Sequence, residues 1–446
     1  RRYAPHTPPS GDRTQRTPVP ARAQRPRKPE LKIPSLLDLL KLRRLRAFRR
    51  RRVAAHARPE QEPALRSELF SAEQMERHGA VLAAQHKISE RSNADLLLAR
   101  LADNEAVLLH TCERLTAATR QRSRVTPAGE WLLDNLYLIE EQIRLARRHL
   151  PKGYSRELPR LSQGPSITLP RVYDIALEII SHGDGRVDIA SLSRFVMAYQ
   201  TITPLKLGEL WAIPIMLRLA LIENLRRVAA RVMADWRHRS EAVGWADALT
   251  ASAESDPKNV VLVVADMARS DPAMASSFVA EMTRRLQGQS PALALPLSWI
   301  EQRLSESGQS IEHLVQMEAQ QQAAHQVSIS NSIGSLRALS AIDWRDFVEH
   351  TSLVEQRLRK EPAGIYPAMD FATRDRYRHV IESMARSHHL AEQQVADAAL
   401  ELCGRAEPPA LQQHVGFYLI DEGRHTLEQR LGVRPLLGEA LRRQFD

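Results

Sequence analysis

Apolar residues recur every three or four positions through most of this chain, in segments of helical length bounded by proline, glycine and aspartate. Between Ser67 and Arg120, Leu82, Leu97, Leu98, Leu101 and Leu108 stand among charged residues and predict two or three amphipathic helices. Leu132, Leu136, Ile139, Ile143 and Ala146 form one face of a helix over Trp131 to Leu150, with Thr126 as cap, Pro127 in the first turn and Pro151 as stop. Further helices are predicted from about Arg171 to His182, closed by Gly183 and Gly185, and from Val187 to Thr201, where Leu192, Phe195, Val196 and Tyr199 face a core. Gly208 to Trp236 reads as a long helix, with Pro214 as the place where a kink is expected.

Downstream, Asp256-Pro257 and Asp271-Pro272 each read as a cap followed by a first turn. Ser310 to Gln326 is a Gln-rich helix, and Asp343, Trp344 and Asp346 mark another helix start. The alternation of helix and proline-bearing turn has no fixed period. The expectation is therefore an all-α chain built as an irregular multi-helix bundle or as solenoid-like helix pairs. Three divisions follow: a basic arm over 1–58, a helical domain over 59–250 and a second helical domain over 251–446. Composition agrees, since aromatic residues are only 5% and good helix formers dominate, so little or no β-structure is expected.

Charge changes the picture at one end. The net charge is +10, and much of the excess lies before Arg58. The first thirty or so residues are rich in Pro, Arg, Thr and Ser and are expected to be disordered, because they cannot bury enough apolar surface to offset the entropy of ordering. Leu36, Leu37, Leu39, Leu40 and Leu42 then open a short amphipathic helix, followed by Arg43, Arg44, Arg46 and Arg49 to Arg52. Residues 36–52 suit an anionic membrane surface or a nucleic-acid backbone, and a solvated arm that binds nothing fits them equally. Cys112 and Cys403 have no metal-ligand spacing and form no disulfide framework, which points to the reducing cytosol. The apolar run Leu210 to Ile222 is broken by Pro214 and Arg218 and is too short to span a bilayer. The chain begins with Arg and carries no secretory pattern, so an incomplete product is expected.

Chemistry is sparse. A nucleotide-sugar transferase needs closely spaced carboxylates that hold a divalent metal against the departing diphosphate, and a carboxylate base. No Asp-x-Asp is present. Asp343 with Asp346 and Asp184 with Asp188 stand beside helix starts, where aspartate caps free amides. Glycine-rich phosphate loops, nucleophile elbows and zinc-protease patterns are absent, and His388-His389 lacks a partner at ligand spacing, so the sequence nominates no catalytic residue and no metal ligand. Arg171, Arg218, Arg226 and Arg227 are expected to pair along their helices with Asp174, Glu209 and Glu223, and Arg374, Asp375, Arg376 and Arg378 to form a solvated helix face.

Three segments carry a family resemblance: PAGEWLLDNLYLIEEQIRLARRHLPKGYSRELPRL from Pro127, PRVYDIALEIISHGDGRVD from Pro170, and TPLKLGELWAIPIMLRLALIENLRR from Thr203. Together with NSIGSLRALSAIDWRDFVEHTSLVEQRL, PAGIYPAMDFATRDRYRHVIESMARSHHLAEQQVADAAL and HVGFYLIDEGRHTLEQRLG they resemble, in order, the amino-terminal region of bacterial cyclic β-1,2-glucan synthases, over about 95–440. The resemblance implies a complete enzyme that uses UDP-glucose with Mg²⁺ or Mn²⁺, and that has a glycosyltransferase part, membrane spans and a phosphorylase-like part. These would be the partners of this chain, with nascent β-1,2-glucan, at the cytoplasmic face of the bacterial inner membrane. This piece would support initiation and elongation and be catalytically silent alone.

Because members of the family build glucan on the protein itself, the resemblance also implies an acceptor. Tyr154, in the turn Pro151-Lys152-Gly153-Tyr154-Ser155-Arg156 with basic neighbours that could ease phenolate formation, is the first candidate, followed by Tyr173 and Tyr199. Packing over a helix end fits Tyr154 as well. Trp131, Trp211 and Trp344 are candidate sugar contacts, and their helical spacing fits core packing too. Two other readings stand beside this one. One is a non-enzymatic adaptor whose basic arm binds anionic lipid or nucleic acid, and the other is a helical-barrel glycosidase using carboxylates such as Glu140, Glu141, Asp174 or Glu209.

Overall fold

The computed structural model describes residues 65, 67–89, 96–151, 153–405 and 410–433, and these form an all-α structure. The basic arm expected over 1–58, with its short helix over 36–52, lies outside the described residues. The helices are α1 Ala72–Gln85, α2 Leu97–Arg120, α3 Pro127–Asp134, α4 Leu136–His149, α5 Arg171–His182, α6 Ile189–Gln200, α7 Leu207–Ser255, α8 Val260–Ser270, α9 Ser276–Leu286, α10 Ala294–Ser305, α11 Ile311–Ala338, α12 Trp344–Thr351, α13 Leu353–Leu358, α14 Phe371–His388, α15 Glu392–Arg405, α16 Val415–Ile420 and α17 Arg424–Leu431. One two-residue antiparallel ribbon joins β1 Ile88–Ser89 to β2 Arg160–Leu161, with Ile88 opposite Leu161. No helix among the described residues is long and apolar enough to cross a membrane.

The 49-residue α7 organises the rest. Its first half, Leu207 to Met233, is buried on all sides and therefore lies inside a core, packed by α2, α5 and α11. Beyond Met233 only the stripe Ala242, Ala246 and Leu249 is buried, at spacings of four and three, and that stripe packs on Val264, Phe278 and Met282 of α8 and α9. The helix thus runs on past Trp236, where the sequence suggested an end, and through residue 250, where two domains were divided. A third cluster, around Tyr366, Ile381, Val395 and Leu419, is built from α13 to α17.

Several local predictions need correction. The helix expected over Trp131–Leu150 is two helices, broken at Asn135, whose amide donates to the Trp131 carbonyl (2.9 Å) and accepts from Arg337 of α11 (2.7 Å). An Asn that finds local and tertiary partners competes with the helical ladder. Asp271 does not start a helix: it ends α8 in the left-handed conformation (φ 47°), and the next helix begins at Ser276. Thr126, Asp188, Ser310 and Asp343 do cap their helices, and Asp256 caps the 3-10 turn Pro257–Asn259. Gly79 is required where α1 meets α6, because a Cβ there would stand 2.6 Å from the Phe195 carbonyl oxygen.

The arginines are also more deeply used than spacing suggested. Glu223 of α7 is fully buried and accepts from Arg100 of α2 through Nε (2.8 Å) and Nη2 (2.6 Å), from Asn104 (3.0 Å), and from Arg226 and Arg227 on its own helix (3.0 Å each). Arg218 does not pair along its helix but donates to Gln142 of α4 (2.8 Å). Arg378 is not solvated: it is buried and donates to Glu355 of α13 (2.6 Å), which also accepts from Arg359 (2.8 Å) and from the Tyr366 hydroxyl (2.6 Å). Arg374 reaches Glu349 of α12 (2.7 Å). A carboxylate taken out of water is tolerable only with such a full set of donors.

Burial pushes the Glu223 carboxyl up, but Arg100, Arg226 and Arg227 outweigh it and hold its pKa at about 2, against 4.5 for a free glutamate. Its stabilising contribution is therefore present above pH 4.5 and is lost as pH falls toward 2. Glu223→Ala, which removes the buried carboxylate shared by Arg100, Arg226 and Arg227, is expected to lower unfolding stability by about 3–5 kcal/mol in chemical denaturation at pH 7. A change below about 0.5 kcal/mol would show that solvent already screens this cluster.

Candidate functional site

A cleft of about 1110 Å³ collects side chains from five places in the chain, the first being Ile88 and Ser89 of β1. The other four are the turn from Tyr154 to Arg160, the start of α5, the segment Thr203 to Trp211 where α7 begins, and the end of α14 with the start of α15. Its floor is an ion pair between Arg171 and Glu209, which lie 38 positions apart rather than on one helix. Arg171 donates to both Glu209 oxygens (2.6 Å each) and to the Pro204 carbonyl (2.7 Å), and both side chains are almost wholly buried. Glu209 also accepts the Lys206 N–H (3.0 Å), so the same carboxylate closes the first turn of α7 and ties α7 to α5.

The wall opposite is helical. His379, Glu382 and Arg386 project from one face of α14 at spacings of three and four, since Arg374 and Arg378 commit the neighbouring face to Glu349 and Glu355. His379 stands between Asp375 (3.4 Å) and Glu382 (3.0 Å). Hydrogen bonding to Asp375, then to Glu382, overcomes burial and raises its pKa to about 10, so the ring is cationic at neutral pH. The His379 contact holds Glu382 below the usual carboxylate range. At the mouth, Arg386 pairs with Glu157 (3.2 Å), linking α14 to the tyrosine turn across 229 positions. Both side chains are exposed, so this latch is weak and can open.

Glu392 closes the base. It is buried and accepts the Leu207 N–H with both oxygens (3.2 and 3.0 Å). Burial, with Glu382 and Glu209 nearby, raises its pKa to about 7 although the Leu207 bond opposes the shift. The cleft thus carries a carboxyl held below the usual range on α14 and one that titrates at about 7 at the start of α15.

Of the six aromatic residues nominated by sequence, two line this cleft. Tyr154 sits half-buried in the 3-10 turn Tyr154–Arg156, which follows Gly153 at φ 91°. Burial, then Glu382 and Glu157, raise its phenol pKa, the reverse of the easing expected from basic neighbours. Trp211 meets Phe371 edge-to-face at 6.3 Å, and its indole N–H is buried without a hydrogen-bond partner. Tyr173 is buried in the Glu223 cluster. Tyr199 is fully buried, its hydroxyl 2.9 Å from His86 and its pKa raised to about 12, chiefly by burial. Trp344 donates to the Leu339 carbonyl (3.0 Å) and packs on Phe347, while Trp131 is exposed on α3 away from the cleft.

The carboxylates proposed for hydrolysis do not converge. Glu140 and Glu141 lie on α4, which contributes nothing to the cleft, Asp174 contacts His86 (3.0 Å), and Glu209 is committed to Arg171. Of the two aspartate pairs weighed for a divalent metal, Asp188 and Asp343 are engaged as helix caps. His379, Glu382, Arg386 and Glu392 were not nominated by sequence. The spacing of the first three was the available signal, but a charged helix face is ordinarily solvated.

No family model matches this chain. It is 32% identical over 390 residues to the cyclic beta-(1,2)-glucan synthase NdvB of Rhizobium meliloti (strain 1021), a match that covers 84% of this chain and 13% of that protein. The chain therefore spans about an eighth of the length of that relative.

Because the folded pKa of Glu392 lies above its unfolded value, the protein binds the proton more tightly when folded. The stability linked to this group is complete below pH 4.5 and is lost as pH rises to about 7. In thermal unfolding from pH 4.5 to 8, Glu392→Gln is expected to flatten that decline and to raise the midpoint at pH 8. An unchanged profile would show that Glu392 is ionised throughout.

Proposed function

From a chain related in sequence to the cyclic β-(1,2)-glucan synthases, we propose a helical support module that holds nascent β-1,2-glucan in the cleft between α7 and α14 while bonds are formed by parts of a synthase outside this chain. The reading rests on one observation, the pairing of Trp211 and Tyr154 with charged hydrogen-bonding groups along the walls of a single large cleft. Sugars present apolar C–H faces and a rim of hydroxyls, and such ligands are held by aromatic rings together with polar side chains. At about 1110 Å³ the cleft exceeds the roughly 300–1,000 Å³ usual for a small-molecule site, which suits several linked sugars better than one.

Initiation is assigned to Tyr154. Tyr173 and Tyr199 are buried, whereas Tyr154 lies in the cleft wall beside Glu157 and Glu382. A phenol whose pKa is raised needs a base, and either carboxylate can take its proton as the phenolic oxygen bonds to the anomeric carbon of glucose and UDP departs. UDP-glucose and its Mg²⁺ or Mn²⁺ would be bound by the glycosyltransferase part, and the module would work at the cytoplasmic face of the inner membrane. This chain supplies position and acceptor, which accounts for the absence of nucleotide-sugar motifs in its sequence.

Calorimetric titration of the full chain with linear β-1,2-gluco-oligosaccharides is expected to show saturable binding. Trp211→Ala, with unchanged far-ultraviolet circular dichroism, should weaken it about tenfold, equivalent to ~1.4 kcal/mol. Absence of binding, or indifference to Trp211→Ala, overturns the cleft as a glucan site. For the acceptor, peptide mass spectrometry of active full-length synthase should find hexose on the Tyr154 peptide and lose it in Tyr154→Phe. Hexose elsewhere with an unmodified Tyr154 defeats the assignment.

A further inference from the structure

A second constellation stands where α1, α5 and the segment Ser67 to Phe70 meet. His78 of α1, Glu178 of α5 and His182 of α5 bring two imidazole nitrogens and a carboxylate oxygen within 4.8 Å of one another. We propose that this triad is a binding site for one divalent transition cation of zinc type, with His78 Nε2, Glu178 Oε2 and His182 Nε2 as ligands and the fourth position left to solvent. The proposal is independent of any role in glucan synthesis.

The geometry is already close to that of a coordination sphere. Glu178 Oε2 is 2.8 Å from His78 Nε2 and 3.3 Å from His182 Nε2. With bonds of about 2.0–2.1 Å, the ligand atoms of a tetrahedral zinc ion stand roughly 3.3 Å apart. Both carboxylate-to-nitrogen separations thus lie within about half an ångström of that value, and the two imidazole nitrogens, within 4.8 Å of each other, need only draw together around an ion. Glu178 and His182 reach one point because they are four residues apart on a single helix, and His78 is carried to it by the tight packing of α1 on the core.

The orientation of His182 is the second observation. Its Nδ1 lies 2.7 Å from the Glu68 carbonyl, which can only accept, so the hydrogen is on Nδ1. In the neutral ring Nε2 is then a lone pair aimed at a carboxylate oxygen, an unfavourable contact that a cation between the two would turn into bonding. An imidazole fixed through Nδ1–H to a backbone carbonyl, with Nε2 presented inward, is the outer-shell arrangement of metal-ligating histidines. Phe70 stacks on the same ring at 3.8 Å and holds it in plane.

The ligand set also indicates the metal. Two neutral nitrogens and one carboxylate suit zinc and its neighbours, whereas magnesium and calcium require mostly oxygen donors. The ligand side chains are 11–32% exposed, so an ion has access. Once bound, it would join α1 to α5 at the point where Ser67 and Phe70 already donate to the Ser181 and His182 carbonyls (3.1 and 3.2 Å).

The test uses the full chain stripped with chelator and titrated with Zn²⁺ by calorimetry, then with Co²⁺ followed by visible absorption. One equivalent of Zn²⁺ should bind and raise the unfolding midpoint, and Co²⁺ should give the intense bands of a tetrahedral or five-coordinate nitrogen–oxygen site. His78→Gln and Glu178→Gln should each weaken Zn²⁺ by more than the roughly 10–100-fold typical of losing an outer-shell partner. A Leu82→Ala variant, which loosens α1 without touching a ligand, should retain the Co²⁺ spectrum and so separates lost ligation from lost packing. No saturable binding by the stripped protein, or binding that survives in the His78→Gln/Glu178→Gln double variant, overturns the site and leaves the triad a hydrogen-bonded clamp.

Discussion

The salt bridge between Arg171 and Glu209 is the constraint on which the arrangement depends. A guanidinium and a carboxylate removed from water are tolerable only when they meet at hydrogen-bonding distance, so the start of α5 must lie against the first turn of α7. That requirement sets the rest. It fixes the Pro204 loop through Arg171, caps α7 through Lys206, and places Trp211, two residues beyond Glu209, against the cleft. Glu392 then reaches across to the Leu207 N–H and brings α15, with α14 before it, to the other side.

The same logic explains the number of arginines in a chain with modest aromatic content. Glu223 and Glu355 are buried carboxylates, each met by guanidinium groups from more than one helix, and Glu361 is met by His414 and by backbone amides of Val415 and Tyr366. These clusters tie together helices that also share an apolar core, and they are rigid because each group has several partners. The Arg386–Glu157 latch differs, since both groups are solvated. Rigid floor and weak latch together describe a cleft that can open at its mouth without disturbing its base.

Much of the helical frame was legible from residue spacing. The helix over Arg171–His182 and the caps at Thr126, Asp188 and Asp343 depend on contacts within four residues, and such signals survive in one dimension. The failures share a different cause. Asn135 broke a helix because Arg337, 202 positions away, offered its side chain a partner, and Arg378 left the solvent because Glu355 was waiting in another helix. Asp271 looked like a cap because Pro272 follows it, but the chain needed a left-handed residue there to end α8. For the site, Tyr154 and Trp211 were nominated from sequence, while His379, Glu382 and Glu392 were not, because nothing in a charged helix face indicates what will pack opposite.

The sequence by itself determined an all-α chain and its proline corners, since composition, periodicity and residue order are properties of neighbours along the chain. Only the tertiary structure decided which of the many carboxylates are buried, which arginine each one meets, and which of the three nominated tyrosines lines a cleft. Those outcomes depend on desolvation and on distances between residues up to hundreds of positions apart, and neither quantity exists until the helices are packed.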